Sequence, residues 1–292
     1  MSLFTGSCVA MATPFSQEGI NLEALGKTIA FQMEQGTDAL LVCGTTGEPA
    51  TMSREEKASV IRYTVEKTAK RLPVLAGVGG NHTAEVVRAS MEAEKLGADA
   101  VLAVTPYYNK TNARGLIAHY REINDAVHIP IIIYNVPGRT GMNVSPTALK
   151  ELSRLPHIIG IKEASGDIAQ VLEMRRLCGE SIDIYSGNDN MVVPLLAAGG
   201  KGVVSVVANV APRDTHQMVA EFLAGHVKES LDLQLKLLPL IDALFCEVNP
   251  IPVKTAINLM GFDMGPLRLP LADMAENHLS LLKQQMHEYG LM

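Results

Sequence analysis

The chain has 292 residues, with 25 lysines and arginines against 31 aspartates and glutamates, and a formal net charge of −6. Apolar residues make up 47% of the chain and charged residues 19%, which is typical of a globular protein and excludes a disordered, collagen-like or coiled-coil chain. The acidic balance and the absence of tryptophan argue against a nucleic-acid partner, because phosphate binding favours a basic face with aromatic platforms.

Eight short apolar runs recur along the chain, each followed by turn residues and then by a longer segment with helical periodicity. Each run is continuous rather than alternating, as expected of a strand that is buried on both faces. The runs begin near Ser7, Ala39, Pro73, Ala100, Pro130, Ile158, Ile182 and Gly202. This order predicts an α/β fold, a closed (β/α)8 TIM barrel. An open doubly wound sheet is the alternative, but no glycine-rich nucleotide turn follows the first run.

Several segments between the strands carry signals for helix starts. Ser53 with Glu56 three residues later fits a capping box. Ser145 before Pro146 opens another helix, and Thr83 precedes a third that ends at Gly97. After Gly225 the chain reads as mostly helical. We therefore expect a catalytic barrel over residues 1–225 and a C-terminal helical region, residues 226–292, packed on it.

The chain shows no signal for export, membrane insertion or metal binding. Its N-terminus lacks a basic segment, and no apolar run approaches the roughly 18 residues that a membrane span needs. The four cysteines form no CxxC pair, and the histidines show no ligand spacing. We expect a cytoplasmic protein without a metal, a membrane contact or a nucleic-acid partner.

In a (β/α)8 barrel the catalytic groups lie at the carboxyl ends of the strands. Lys162 closes the sixth apolar run, so its amine should point into the barrel mouth. Burial disfavours a charged amine, and a neutral amine can attack a ketone to form a Schiff base. The alternative is a structural lysine that bridges carboxylates such as Glu163. The residue alone leaves both interpretations open.

The residues at neighbouring strand ends favour chemistry. Tyr134 ends the preceding strand, and its phenol could shuttle protons, with Thr45 and Tyr108 extending a hydroxyl relay. The GTTG turn (44–47) offers consecutive amides suited to a carboxylate, although a tight turn also needs glycines. Arg139 could grip a second carboxylate, or it could be an ordinary surface arginine.

These residues resemble the dihydrodipicolinate synthases, within the superfamily of pyruvate-dependent class I aldolases and lyases that includes N-acetylneuraminate lyase. The matching stretches run in family order across nearly the whole chain. They are GTTGE (44–48), VTPYYNK (104–110), YNVPGRTG (134–141), GIKEASG (160–166), YSGND (185–189) and NPIPVK (249–254).

The resemblance implies a role for each candidate residue. Lys162 would form the Schiff base with pyruvate. Tyr134 would transfer protons, linked through Thr45 to Tyr108, and Tyr108 would reach into the site of a neighbouring subunit. Four further positions would bind substrate: Thr46, Arg139, Gly187 and Val204.

The resemblance also implies the reaction and the assembly. Pyruvate would condense with L-aspartate 4-semialdehyde to give 4-hydroxy-tetrahydrodipicolinate in lysine and diaminopimelate biosynthesis. No cofactor would be needed beyond the covalent pyruvate Schiff base on Lys162. The usual assembly is a homotetramer, a dimer of dimers. Two alternatives stay open: another pyruvate Schiff-base aldolase acting on a sugar acid, which Arg139 disfavours, and a non-catalytic barrel that binds a keto acid.

The family further has a lysine feedback site at the dimer interface. Asn81, Glu85 and Tyr107 match its pattern. Arg54 and Lys57 stand where strongly inhibited members have histidines, and Pro49 replaces a serine. Because cationic side chains repel a cationic ligand, we expect weak or absent inhibition by lysine.

Overall fold

The computed structural model describes residues 2–292, and eight parallel strands close into a barrel. In chain order the strands are β1 (Gly6–Ala10), β2 (Phe15–Ser16), β3 (Gly19–Ile20), β4 (Ala39–Val42), β5 (Val74–Gly77), β6 (Ala100–Val104), β7 (Ile131–Asn135), β8 (Ile158–Glu163), β9 (Asp183–Ser186) and β10 (Gly202–Ser205). β2 and β3 form a separate hairpin, and β1 pairs with both β4 and β10 to close the barrel. The predicted TIM barrel is confirmed, and every barrel strand begins within one residue of its predicted start.

Helices cover the outside of the barrel and continue beyond its last strand. They are α1 (Leu22–Glu34), α2 (Arg54–Thr68), α3 (Thr83–Lys95), α4 (Ala113–Ala126), α5 (Pro137–Thr140), α6 (Pro146–Leu152), α7 (Ile168–Cys178), α8 (Val192–Ala197), α9 (Pro212–Leu223), α10 (Val227–Leu244), α11 (Ile251–Leu259) and α12 (Glu276–Tyr289). Helix α10 packs on α9 and α12. The division of the chain into two regions at residue 225 stays a prediction. No helix in the described part of the chain is long and apolar enough to cross a membrane.

The helix starts follow their sequence signals with one exception. Ser53 and Glu56 form the predicted capping box, and the Ser145 side chain accepts a hydrogen bond from the amide of Ala148. The prediction for Thr83 is wrong, because α3 begins at Thr83 itself and His82 occupies the cap position. The Thr83 hydroxyl instead lies 3.0 Å from Nδ1 of the buried His119, so a tertiary contact has replaced the cap.

Three apolar clusters account for the fold. One lies between most of the strands and the surrounding helices, a second packs α8–α12 against β10, and the third fills the barrel interior. At the amino end of the barrel, the Phe4 ring stacks on Tyr185 with 4.2 Å between centroids. The Tyr185 hydroxyl donates to the Phe4 carbonyl at 2.8 Å. The N-terminal segment therefore closes the floor of the barrel, and the carboxyl ends of the strands form the mouth.

Candidate active site

A cavity of about 350 Å³ opens at the carboxyl ends of the strands. Three of the predicted catalytic and substrate-binding residues line it, Thr45, Tyr134 and Arg139, although they come from distant parts of the sequence. Its wall also includes Val248, Asn249 and Pro250, which lead into α11, and Pro270 and Leu271 from the loop that follows α11. The cavity lies where a (β/α)8 barrel carries its chemistry.

Lys162 does not line this cavity itself but lies inside the barrel against Tyr134, which does. It is a register partner of Tyr134 across β7 and β8, which places the two side chains on the same face of the sheet. The Lys162 residue is only 5% exposed, and its Nζ sits 4.2 Å from the centre of the Tyr134 ring. An amine held against a phenol ring, in a site that excludes most water, is suited to attack on a small ketone.

The neighbouring carboxylate does not form an ion pair with Lys162. Glu163 points to the opposite face of β8, where its carboxylate accepts from the Ser165 amide at 2.7 Å and from the Asn135 side chain at 2.8 Å. Burial raises the pKa of Glu163. The geometry therefore disfavours the alternative in which Lys162 is a structural bridge to Glu163.

Asp189 is a second buried carboxyl group near the site. One of its oxygens accepts from the amides of Val206 and Val207, each at 2.9 Å. Burial raises the pKa of Asp189, whereas these hydrogen bonds and the nearby Lys162 charge act in the opposite direction.

The GTTG segment forms a turn with free amides. Residues Thr45–Gly47 make one turn of 3-10 helix, in which Gly47 and Glu48 donate back to the carbonyls of Gly44 and Thr45. The amides of Thr45 and Thr46 have no acceptor within residues 2–292. The Thr46 hydroxyl accepts from the Asn249 side chain at 3.1 Å. Two adjacent amides without an acceptor can bind a small carboxylate, and that role stays a prediction.

Arg139 lies on the short helix α5 above the cavity. Its Nη2 donates to the Asn249 carbonyl at 3.3 Å, which leaves the rest of the guanidinium fork available. A planar fork of this kind can bind a carboxylate with two hydrogen bonds. Arg139 on the cavity wall and Lys162 against the Tyr134 ring place two basic side chains at the barrel mouth.

Tyr108 does not join this cluster within the single chain. It is 91% exposed and has a φ of 67°, a strained value for a tyrosine. The Asn109 amide donates to the Tyr107 carbonyl across this turn at 2.9 Å. Asn81 and Asn109 side chains fasten the same turn. An exposed aromatic ring on a strained but anchored turn is typical of a contact with another molecule.

Gly187 lies beside the Lys162 side chain, and Val204 lies in the barrel interior. A Cβ at Gly187 would lie 3.1 Å from Cε of Lys162 and 2.6 Å from Cβ of Ala164, so the position has room only for glycine. Val204 is buried in the apolar interior of the barrel beside Tyr134 and Tyr185. Their roles in substrate binding stay predictions.

The residues of the predicted feedback site share a cavity of about 310 Å³ that adjoins the mouth cavity, because Lys57 and Tyr107 line both. Asn81, Glu85 and Tyr107 line it together with Arg54 and Lys57, whereas Pro49 lines the mouth cavity instead. Glu85 is paired with Arg88, and Arg54 Nε lies 2.7 Å from Glu92. The cavity wall is therefore rich in cations, and its acidic residues are already engaged.

Sequence reasoning assigned no role to three residues that shape the mouth. Asn249 contacts both Thr46 and Arg139, and Glu48 forms a buried ion pair with Lys254. Lys254 lies within an apolar helical segment, which is the one sequence signal for its burial. Within the described residues, no three histidine, cysteine, aspartate or glutamate side chains are grouped to hold a metal ion.

The fold and the site together define a class: a (β/α)8 barrel with a buried, amine-centred candidate site of the Schiff-base type at its mouth. The comparisons with known proteins agree. The model of the dihydrodipicolinate synthetase family matches residues 3–289. A 4-hydroxy-tetrahydrodipicolinate synthase of Caldicellulosiruptor bescii is 56% identical over 292 residues, which cover 100% of this chain and 99% of the relative.

Solved structures give the same result. The dihydrodipicolinate synthase of Thermotoga maritima superposes with a TM-score of 0.98 at 42% identity, with 100% of both chains covered. A structure described as the first monomeric dihydrodipicolinate synthase variant has a TM-score of 0.97 at 42% identity, covering 99% of this chain and 98% of that one. The chain belongs to the dihydrodipicolinate synthetase family. This membership confirms the predicted family and the predicted enzyme class, a lyase of the class I aldolase type.

Proposed function

We propose that the protein condenses pyruvate with L-aspartate 4-semialdehyde to form 4-hydroxy-tetrahydrodipicolinate. The observation that carries this proposal is the buried Lys162 amine, 4.2 Å from the ring of Tyr134, which lines the mouth cavity together with Arg139. The Lys162 amine can react with the ketone of a keto acid, and the Arg139 guanidinium can bind the carboxylate of a second substrate. The names of the relatives at 53–56% identity support the same reaction.

The first half-reaction makes a carbon nucleophile from pyruvate. The Lys162 Nζ attacks the keto carbon, and the resulting carbinolamine loses one water to give an iminium. The amides of Thr45 and Thr46 hold the pyruvate carboxylate. Loss of a proton from the methyl group then gives an enamine. Tyr134 is the nearest phenol for these proton transfers, and Thr45 connects it toward solvent.

The second half-reaction joins the two substrates. The enamine carbon attacks the aldehyde carbon of the semialdehyde, whose oxygen takes a proton and becomes the hydroxyl of the product. Arg139 holds the carboxylate of the incoming aldehyde. The amino group of the semialdehyde then attacks the imine carbon, closes the ring and displaces the Lys162 amine. The overall products are the cyclic compound and one water, so the protein needs no external cofactor or metal.

We further propose that the catalytic unit contains at least two chains, in a cytoplasmic homotetramer arranged as a dimer of dimers. The support is Tyr108, which is 91% exposed and has a φ of 67°. The side chains of Asn81 and Asn109 form hydrogen bonds that hold its turn in place. In this arrangement Tyr108 completes the hydroxyl relay of a neighbouring subunit. The monomeric variant among the structural relatives makes the solution mass of this protein a necessary measurement.

A coupled assay tests the proposed function. Pyruvate and L-aspartate 4-semialdehyde are supplied together with NADPH and a dihydrodipicolinate reductase, and NADPH oxidation is followed. We expect turnover only when both substrates are present. Borohydride with pyruvate alone should add one reduced pyruvate to Lys162, detected by peptide mass. Lys162→Ala should lose both signals, and substantial turnover by that variant would refute the assigned role.

The same assay separates the alternative function. Another aldolase acting on a sugar acid predicts a trapped pyruvate adduct on Lys162 but no turnover with the semialdehyde. Arg139 at the mouth favours a charged aldehyde over a sugar chain, because a guanidinium near an uncharged substrate would be left without its partner.

A further inference from the structure

Glu48 and Lys254 form the most deeply buried ion pair of the described chain. Their side chains are each 1% exposed, and Lys254 Nζ lies 2.8 Å from a Glu48 carboxylate oxygen. In every other ion pair that residues 2–292 form, both partners are more exposed. A buried pair costs desolvation energy that an apolar pair of the same size would not, so stability alone does not explain it.

The surroundings satisfy both charges. Besides Glu48, Lys254 Nζ donates to the Pro266 carbonyl at 2.8 Å and lies 4.1 Å from the centre of the Phe15 ring. The second carboxylate oxygen of Glu48 accepts from the Arg268 amide at 3.0 Å. Burial lowers the pKa of Lys254, and the Glu48 carboxylate opposes this effect. The pair is therefore fixed in one geometry by directional contacts.

The pair joins two elements that both reach the mouth. Glu48 directly follows the Thr45–Gly47 turn and has a left-handed backbone with a φ of 55°. Lys254 lies in α11, which begins two residues after Asn249. Asn249 in turn donates to the Thr46 hydroxyl and accepts from Arg139. The start of α11 thus holds the amide turn at two points.

We infer that Glu48 and Lys254 are positioning residues that hold the Thr45–Thr46 amides in the place where they bind the pyruvate carboxylate. This inference rests on the proposed function. Neither residue touches the Lys162 side chain, so the amine itself stays intact when the pair is removed. Because the turn supplies binding rather than the bond-forming atom, loss of the pair should weaken pyruvate binding more than it slows adduct formation at saturation.

Lys254→Met tests the inference by removing the charge while keeping the length of the side chain. We expect the pyruvate concentration that half-saturates borohydride trapping to rise about tenfold or more, since a displacement of about 1 Å in a binding group can cost up to about a hundredfold. Trapping at saturating pyruvate should stay near the wild-type rate. Lys236→Met, in the exposed Lys236–Asp214 pair, is the matched control and should trap pyruvate like the wild type.

The double variant Glu48→Met with Lys254→Met separates positioning from stability, because it leaves no unpaired buried charge. It should melt closer to the wild type than Lys254→Met does, but keep the raised half-saturating concentration. If it regains wild-type pyruvate binding as well, the pair is only structural and the inference is overturned. If neither of these variants folds, Lys254→Arg decides, since a retained charge should preserve pyruvate binding and a tenfold loss would overturn the inference. A wild type that traps no pyruvate would overturn the proposed function and this inference with it.

Discussion

Replacement of Gly187 by alanine tests whether the Lys162 amine depends on the space beside it. The added Cβ would lie 2.6 Å from Cβ of Ala164, 3.1 Å from Cε of Lys162 and 3.2 Å from the Glu163 carbonyl. Carbon atoms in contact prefer about 3.5–4.0 Å, so the nearest pair must separate by about 1 Å. The backbone of Gly187 is itself fastened, because its amide donates to the Glu163 carbonyl at 2.8 Å. The displacement therefore falls on the Lys162 side chain and on Ala164.

The expected cost has two parts. Overpacking of a buried site lowers the free energy of unfolding by about 1–3 kcal/mol. For a chain of this length that loss lowers the melting temperature by about 2 °C per kcal/mol. A shift of a few tenths of an ångström at Cε moves the amine out of line with the keto carbon. We expect the rate of borohydride-trapped adduct formation to fall about tenfold to a hundredfold.

Peptide mass spectrometry after borohydride reduction measures the adduct, and a thermal melt measures stability. Gly138→Ala is the control, because a Cβ at Gly138 meets nothing within 4 Å. That variant should melt and trap pyruvate like the wild type. If Gly187→Ala melts and traps pyruvate like the wild type, the side chains around residue 187 can move aside at no cost. The explanation that Lys162 is held rigidly would then be wrong.

Three further predictions concern the second substrate, the feedback cavity and pH. Arg139→Ala should raise KM for the semialdehyde about tenfold to a hundredfold through loss of a charged hydrogen bond, while pyruvate trapping stays intact; equal damage to both would contradict the assignment. L-lysine should inhibit at most weakly, because Arg54 and Lys57 line the cavity of the predicted feedback site; an inhibition constant below the millimolar range would refute this. Burial lowers the pKa of His119 in the folded protein. Below about pH 6.5 this histidine is therefore protonated more readily in the unfolded chain than in the folded one. The free energy of unfolding should fall as the pH drops from 7 to 5. His119→Asn should flatten that fall in a series of thermal melts, and parallel curves for the two proteins would argue against it.

The barrel can be predicted from the sequence because its strands are buried on both faces. The runs that begin at Ala100 and Ile158, for example, are continuous apolar segments, and the structure has strands there. The sequence does not predict the β2–β3 hairpin, since two strands of two residues carry no periodic pattern. Thr83 illustrates another limit: its hydroxyl had a tertiary partner, His119, that no local signal reveals.

The candidate site also combines contacts that can be predicted from the sequence with contacts that cannot. Lys162 and Tyr134 could be paired from sequence because strand ends in a parallel barrel meet at one mouth, and the register of β7 and β8 places them side by side. Glu48 and Lys254 could not be paired, because 206 residues separate them along the chain and the contact depends on how α11 folds over the mouth. The position of Tyr108 at a strand end marks it as a relay candidate, but its role in a neighbouring subunit comes only from the family resemblance, since a single chain leaves it in solvent.

The closed amino end of the barrel restricts how substrates enter the site and how the product leaves it. Phe4 stacked on Tyr185 seals the amino end, so the Lys162 amine can be reached only through the mouth. Under the proposed reaction the same opening must admit pyruvate, admit the aldehyde and release the product. An aldehyde that enters first stands between the amine and the next pyruvate. A site with a single opening thus fixes the order of binding. The keto acid binds to Lys162 first, the aldehyde binds second, and the product must leave before the next pyruvate enters.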